Sequence, residues 1–337
     1  MKILKYILLL GIVSIFASCS EDSLDSESIF KDEKTTPNAL DTWLSDNYTS
    51  PFNIRFNYRY VDIESDREYN LVPAEYDKSV ALAKIIKYLW LDAYVEVTAN
   101  ADPSFMQTYC PKVIQLIGSA AWNDDGSRIL GQAEGGLKIT LYEVNAIDLN
   151  NINVETMNDL WFHTMHHEFA HILHQNKLYS TDFKLITGST YNSAGWTDYS
   201  NTDAHHLGYI TNYASSEPNE DFVELVSMYV THTEAWWQAM LADAKQAQIS
   251  ASAYASYANG GTKLPDNASL KTVTGQDAEG NDVTLYYLYY GGDEKIKQKF
   301  EIVTKYFINS WGFKLSDLRD IVQRRSESLD SLDLTSL

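Results

Sequence analysis

Three residues in one short run have the types and the spacing needed to bind a metal and use it: His167, Glu168 and His171. Residues 160–175 predict a helix, because large apolar side chains recur there at steps of three and four. Residues four apart on a helix point the same way, so the two imidazoles can share one tetrahedral Zn²⁺ at about 2.0–2.1 Å. Glu168 would then lie beside the open position of the metal. There it can accept a proton from a zinc-bound water whose pKa is lowered to about 7.

Three further histidines, His163, His166 and His174, lie close to this motif. A catalytic zinc site needs only three protein ligands. We therefore interpret these histidines as polar-face or supporting residues, and we expect the remaining ligand elsewhere in the chain.

The third ligand has several candidates. Asp198, His205 and His206 lie in a long irregular stretch, and all three are chemically able to bind zinc. Glu220 is favoured over them, because it opens a predicted helix and a rigid element holds a ligand better than a loop does.

Glu224 supports the choice of Glu220, because it lies one turn further along the same helix face. From there it can accept the ring N–H of a ligating histidine, and His167 is the expected donor. Such a hydrogen bond fixes the tautomer of the ligand. The sequence therefore predicts a ligand and its supporting carboxylate on one helix.

The N-terminal residues predict export and a lipid anchor. Residues 1–5 carry two lysines, and 6–17 form an apolar stretch that is too short to span a bilayer. Small residues lead directly to Cys19, an arrangement that resembles the bacterial lipobox, where a precursor is cut and lipidated at cysteine. We therefore expect a signal peptide over 1–18, a lipid on Cys19, and a flexible acidic tether over 19–38.

The chain is strongly acidic, with 26 basic and 46 acidic residues and a net charge of −20. Loss of residues 1–18 removes two lysines and leaves a charge of about −22. Such a chain repels nucleic acid and anionic lipid head groups, so we expect no nucleic-acid partner and membrane contact through the lipid anchor only. Lipidation of Cys19 leaves Cys110 without a partner for a disulfide, and Cys110 is interpreted as a small buried hydrophobe.

Periodicity along the rest of the chain predicts an α+β fold, in which a mixed, largely antiparallel sheet packs on the helix of His167. That helix is predicted to begin with Asn153 as its N-cap. Strands are predicted at 52–60, 113–117, 129–133, 137–141 and 283–290. Further helices are predicted at 79–97, after Pro218, at 293–310 and at 315–325.

Residues 177–219 show neither a helix nor a strand period, and their length favours a functional segment. Their aromatic residues are expected to line a substrate cleft in part, and they are Tyr191, Trp196, Tyr199, Tyr209 and Tyr213. We expect one domain over 39–330, with lobes of about 39–176 and 177–330 on the two sides of the metal site. The C-terminal lobe is predicted to be mainly helical.

Three blocks resemble the site of the anthrax lethal factor family of zinc peptidases, in which HExxH is followed by Tyr and then by ExFxE. The blocks are His167-Glu-Phe-Ala-His171, Tyr213 and Glu220-Asp-Phe-Val-Glu224, and Tyr213 stands seven positions before Glu220 as in that pattern. The resemblance implies a zincin-like fold of the glutamate-zincin type, with Zn²⁺ held by the two histidines and Glu220. It also implies that Tyr213 donates a hydrogen bond to the developing oxyanion.

Most of the chain is similar to a family of zinc-binding metallopeptidase lipoproteins that is associated with substrate import. The lipobox, the block 167–175 and the ending Trp311-Gly-Phe…Gln323-Arg-Arg carry this resemblance. It implies an outer-membrane lipoprotein of a Gram-negative bacterium, at the cell surface or on the periplasmic face. The implied partners are a SusD-type lipoprotein and a TonB-dependent transporter. In zinc peptidases, a strand placed like 137–141 often forms the cleft wall and pairs with the substrate backbone.

The sequence therefore predicts a zinc metallopeptidase that hydrolyses peptide or glycopeptide bonds. The alternative is a lipoprotein that captures a ligand for import and retains a structural or vestigial metal site. Glu168 favours the enzyme, because a structural site has no need of a general base.

Overall fold

The computed structural model describes residues 36–337, except for 63, 64, 67, 124–127, 130 and 135–136. The predicted signal peptide, Cys19 and all but the last three residues of the predicted tether lie outside the described residues. Residues 39–337 form one compact unit. The division of this unit into two lobes near residue 176 stays a prediction.

The described residues form fourteen α-helices, several of which are extended or joined by a widened π-helical turn. The α-helices are α1 (Ala39–Leu44), α2 (Ser50–Phe52), α3 (Tyr76–Ile86), α4 (Asp92–Thr98), α5 (Phe105–Tyr109), α6 (Val154–Met157), α7 (His163–Asn176), α8 (Phe183–Ile186), α9 (Asn201–Leu207), α10 (Pro218–Thr231), α11 (Glu234–Lys245), α12 (Ala251–Ala258), α13 (Gly292–Tyr306) and α14 (Leu315–Glu327). The π-helical turns are Ser45–Thr49, Lys87–Leu91, Asn158–Phe162 and Phe307–Trp311. Short 3₁₀ turns lie at Val144–Ala146, Trp196–Asp198, Tyr213–Ser215 and Leu329–Ser331.

The strands form three small sheets. They are β1 (Arg55–Asn57), β2 (Val113–Leu116), β3 (Ala121–Trp122), β4 (Arg128–Ile129), β5 (Gly131–Glu134), β6 (Lys138–Leu141), β7 (Gln246–Ile249), β8 (Ser269–Gln276) and β9 (Asp282–Tyr289). The largest sheet has the order β1–β2–β6–β5. Its β1–β2 and β2–β6 pairs are parallel and its β5–β6 pair is antiparallel. The sheets β3–β4 and β7–β9–β8 are antiparallel throughout.

The α+β class is confirmed, and so is a mixed sheet beside the helix of His167, but the prediction that this sheet is largely antiparallel is wrong. The reason lies in the connections. A long connection that carries helices, such as the one from β1 to β2, can bring the next strand back in the same direction, whereas only the short hairpin from β5 to β6 reverses it.

The predicted pairing of the strand at 137–141 with a substrate backbone is also wrong. Strand β6 pairs with β2 on one side and with β5 on the other, so its backbone has no edge left for a substrate. The edge strand on that side of the sheet is β5, which contacts α7. The indole N–H of Trp161 donates to the Tyr142 carbonyl at 2.8 Å, which ties the helical run before α7 to the residue after β6.

The strand predicted over 52–60 is largely replaced by other structure. Only Arg55–Asn57 forms a strand, while Phe52 ends a short helix that has proline in its first turn. Asn53 then adopts a left-handed conformation with φ of 56°, so the extended backbone of the strand cannot begin before this residue. An alternating pattern therefore covered a helix end and a strand that are separate elements.

The segment 177–219 contains more helix than its sequence pattern predicted. Helix α9 begins with a capping box, in which the Ser200 side chain accepts from the Asp203 N–H and Asp203 bonds back to the Ser200 N–H. Gly208 ends this helix with a φ of 102°, the left-handed conformation that glycine adopts without strain. Both signals are visible in the sequence.

No helix in the described part of the chain is both long enough and apolar enough to cross a membrane.

An aromatic cluster fixes the rotation of α7 on the core. The Phe169 ring packs edge-to-face on Trp90, Tyr94 and Phe105, with centroid distances of 5.4, 4.8 and 5.9 Å. All four side chains are fully buried. Residue 169 lies roughly opposite residues 167 and 171 on a helix, so the packing of Phe169 turns both histidines away from this cluster.

We predict that Phe169→Ala lowers the free energy of unfolding by about 3–5 kcal/mol, because it removes a fully packed ring from the core. Leu185→Ala is the matched control, since Leu185 is 69% exposed and its loss should change stability by no more than about 0.5 kcal/mol. Urea unfolding followed by far-ultraviolet circular dichroism measures both. Equal urea midpoints for Phe169→Ala and the parent would contradict the prediction.

Candidate metal centre

The first helix of the site is built from α6, a π-helical turn and α7 in one continuous run. It begins as predicted, because the side-chain oxygen of Asn153 accepts a hydrogen bond from the Thr156 N–H at 2.9 Å. Helix α7 carries His167, Glu168 and His171 in its middle turns.

The second helix, α10, follows a short 3₁₀ turn and has Pro218 in its first turn. It packs against α7. Glu220 lies in its first turn and Glu224 one turn further, so both carboxylates can face α7. The positive end of the helix dipole also favours a carboxylate at the position of Glu220.

His167, His171 and Glu220 converge on one point. A Glu220 carboxylate oxygen, Oε2, lies 3.0 Å from His167 Nε2, and Oε1 lies 3.3 Å from His171 Nε2. The two imidazole rings are 4.9 Å apart and inclined at 74°. One donor atom from each of the three residues falls within 4.8 Å of the others, so the group can hold a metal ion.

The Glu224 carboxylate is a buried hydrogen-bond centre behind His167. Its Oε1 accepts from His167 Nδ1 and from His163 Nε2, both at 2.8 Å. Its Oε2 accepts from the Thr211 hydroxyl at 2.6 Å. His163, His167 and Glu224 are close enough to form a second metal-binding group. However, His163 Nε2 and His167 Nδ1 already hydrogen-bond to the same Glu224 oxygen, Oε1. We therefore interpret Glu224 as a support for His167 in the first group and not as a ligand of a second metal.

His171 has a different supporting partner, because its Nδ1 lies 2.9 Å from His174 Nε2. His174 is buried and packs edge-on against the rings of Tyr179 and Phe222. Burial and the neighbouring His171 lower the pKa of His174 to about 4. His174 is therefore neutral, and its Nε2 can accept the ring N–H of His171.

Burial and ion pairing act in opposite directions on the charges of the site. Burial lowers the pKa of His167, but hydrogen bonds to Glu220 and Glu224 outweigh it and raise that pKa to about 10. Burial raises the pKa of Glu220, but hydrogen bonds from His167 and His171 bring it down to about 2. Burial likewise opposes ionisation of Glu224, yet His163 and His167 hold its pKa well below the usual range. Both carboxylates thus remain ionised and favour a cation.

Glu168 and Tyr213 are the two remaining polar groups at the cluster. Burial raises the pKa of Glu168, against the opposing effect of His167 and His171. The Tyr213 ring centroid lies 6.1 Å from that of His167, and burial together with the nearby Glu220 carboxylate raises the pKa of its hydroxyl. Tyr213 is 36% exposed, so it borders both the metal-binding group and the solvent.

Four of the five aromatic residues named in the long irregular segment divide into two sets. Tyr209 is fully buried, and the hydroxyl of Tyr191 bonds to a buried carboxylate, so these two rings belong to the core. Trp196 packs edge-on against Tyr213 with a centroid distance of 5.0 Å. Of this set, Trp196 and Tyr213 are the rings beside the metal-binding group.

The alternative third ligands do not join the described metal-binding groups. Asp198 is exposed in a 3₁₀ turn. His205 uses both ring nitrogens elsewhere, at 2.7 Å from Asp243 and at 3.0 Å from a backbone carbonyl. His206 stacks on the Tyr290 ring with a centroid distance of 3.6 Å.

The residues present fit Zn²⁺. Two imidazoles and one glutamate are a donor set of catalytic zinc sites, which leave a further position open. A carboxylate that holds the outer nitrogen of one histidine is the support such ligands usually have. Sequence reasoning missed Thr211, which has no pattern signal. It placed His174 only as a general supporting residue, although its i+3 spacing from His171 could have indicated the pair.

A family model described as "Putative zinc-binding metallo-peptidase" matches residues 33–316. The protein belongs to this family. This metallo-peptidase is also similar to a solved structure described as a putative zinc-binding metallo-peptidase from Bacteroides caccae, with 38% sequence identity and a TM-score of 0.67. The match covers 92% of this chain and 99% of that one. No curated protein matches the chain. Zn²⁺ is thus the cofactor of the family and of its solved relative by their descriptions.

Proposed function

We propose that this metallo-peptidase hydrolyses peptide or glycopeptide bonds through an HExxH site of the glutamate-zincin type. One observation carries the proposal: Glu168 lies on the same helix as His167 and His171, next to the point where they meet Glu220. A proton acceptor beside a metal-binding group is needed for hydrolysis and not for a structural site. The arrangement therefore favours an enzyme over a ligand-capture lipoprotein.

The roles follow from the positions. His167, His171 and Glu220 would hold the metal. Zn²⁺, when bound, polarises a carbonyl and lowers the pKa of the attacking water to about 7. Glu168 accepts a proton from this water and returns it to the leaving amine nitrogen, a transfer that contributes about 10²–10⁴-fold to such reactions.

Tyr213 would donate a hydrogen bond to the oxyanion that develops on the carbonyl. Its ring centroid lies 6.1 Å from that of His167, and Trp196 packs edge-on against it. A donor that is fixed before the reaction stabilises the transition state without reorganisation.

Strand β5 is the proposed pairing edge for the substrate backbone. Among the described strands it pairs with β6 alone, and it contacts the helix that carries Glu168. An extended peptide can add to such an edge through main-chain hydrogen bonds. The role assigned from sequence to 137–141 is thus reassigned to Gly131–Glu134.

The cellular setting is also a proposal. A basic and then apolar N-terminus that leads to Cys19 supports a lipoprotein of the outer membrane of a Gram-negative bacterium, at the cell surface. The resemblance to import-associated lipoproteins supports a SusD-type lipoprotein and a TonB-dependent transporter as partners.

We predict that Glu168→Gln retains zinc and loses hydrolysis, because an amide cannot accept the proton. The parent should release products from a fluorogenic peptide library at neutral pH, and a chelator should stop the reaction. Metal analysis of both proteins shows whether zinc is kept. A Glu168→Gln protein as active as the parent would exclude Glu168 as the base.

We predict that Glu220→Ala weakens zinc binding strongly and that Glu224→Ala weakens it about 10–100-fold, as changes in supporting residues do. Tyr213→Phe should keep zinc and slow turnover. The control is Asp198→Ala, which should match the parent in zinc affinity. Competition with a chromophoric chelator measures the zinc affinity of all four variants. A loss of affinity in the Asp198 variant alone would identify Asp198 as the third ligand in place of Glu220.

We predict that Cys19→Ala releases a folded protein from the membrane fraction, because acyl burial contributes about 0.8 kcal/mol for each CH₂. Cys110→Ala is the control and should remain acylated and membrane-bound. Fractionation of cells that express each variant tests this, and a Cys19 variant that stays in the membrane would indicate another anchor. Protease treatment of intact cells separates the cell surface from the periplasm.

A further inference from the structure

A buried ion pair lies one residue away from Glu220. Lys299 on α13 and Asp221 on α10 are each 1% exposed, and Lys299 Nζ lies 2.5 Å from Asp221 Oδ2. The Tyr191 hydroxyl donates to the same oxygen at 2.6 Å. Three elements that are distant in sequence thus meet at the first turn of the helix that supplies Glu220.

The same ammonium group holds a second segment of the site. Lys299 Nζ donates to the Gly208 carbonyl at 2.9 Å and lies 4.1 Å from the centroid of the Tyr209 ring. Gly208 ends α9 and begins the short segment that leads to Thr211 and Tyr213. Thr211 in turn donates to the supporting carboxylate behind the metal-binding group.

A gain in stability alone does not account well for a buried Lys299–Asp221 ion pair. Removing two charges from water costs free energy, and well-packed apolar side chains of similar volume are often as stable or more stable. An apolar pair would not fix polar groups at defined positions, because apolar contacts are not directional. The Lys299 ammonium fixes one carboxylate and one carbonyl at defined positions, and each belongs to a segment that carries residues of the metal centre.

We propose that Lys299 is a positioning residue for the metal centre. It locks the first turn of α10, and with it Glu220, against the segment that carries Thr211 and Tyr213. This role rests on the proposed function, because it requires that Glu220 binds zinc. Without Lys299 the two segments can shift relative to each other, and the donor atoms no longer meet at one point.

A second buried cation offers a matched control at the opposite end of α10. Arg319 on α14 is 4% exposed, and it donates from Nε to the His232 carbonyl at 2.9 Å and from Nη1 to Glu234 at 2.6 Å. Its guanidinium lies 4.5 Å from the centroid of the Tyr229 ring. Arg319 therefore holds the end of α10 that carries neither Glu220 nor Glu224.

The test compares zinc affinity with thermal stability. Lys299→Met removes the contacts of the ammonium group but leaves the Asp221 carboxylate without its cation. A paired variant, Lys299→Met with Asp221→Asn, therefore removes both charges together. Zinc affinity is measured by competition with a chromophoric chelator, at a temperature where each protein is folded. We expect both variants to bind zinc about 10–100-fold more weakly than the parent. Arg319→Met should lower the melting temperature and leave zinc affinity within about twofold.

The outcomes separate this role from the function on which it rests. A parent that binds no zinc overturns the proposed function and this role together. A parent that binds zinc, with a paired variant of equal affinity, overturns the positioning role alone. If neither Lys299 variant folds, Tyr191→Phe decides, since it keeps both charges and removes one hydrogen bond to Asp221. An affinity about threefold weaker is then expected, and an unchanged one refutes the role.

Discussion

The buried carboxylate of Glu224 is the interaction on which the rest of the site depends. A charge between two packed helices is stable only when its oxygens are fully hydrogen-bonded. Glu224 meets this condition with three donors, His163 and His167 from α7 and Thr211 from the segment before α10. The two helices therefore have one favourable register, and in that register Glu220 faces His167 and His171, the proposed zinc ligands.

The two histidines of the HExxH motif are held in unlike ways, and this makes them unlike donors. His167 is backed by an ionised carboxylate, whereas His171 is backed by the neutral ring of His174. A carboxylate partner raises the basicity of a metal-bound imidazole. A neutral imidazole fixes orientation but adds less negative charge. His167 would thus be the stronger donor of the two proposed zinc ligands.

Local spacing predicted the parts of the site that lie on single helices. His167 with His171, Glu220 with Glu224, and the Asn153 cap each depend on residues within one or two turns. Strand direction was not predictable in this way, because alternation is the same in parallel and antiparallel strands and the connections decide. Contacts such as that between Lys299 and Asp221, 78 residues apart, leave no periodic signal at all.

The long-range contacts nevertheless do what the local motif cannot. An HExxH helix supplies two donors and a base, but the third donor must arrive on another helix, and catalytic groups must be held to about 0.5 Å of their working geometry. A helix as long as α10 can tilt about either end. Buried cations fix both ends here, with Lys299 at the end of Glu220 and Arg319 at the other. Lys299 adjoins Glu220 and Arg319 does not. The proposed role of Lys299 is therefore to position Glu220, whereas Arg319 contributes to the stability of the fold.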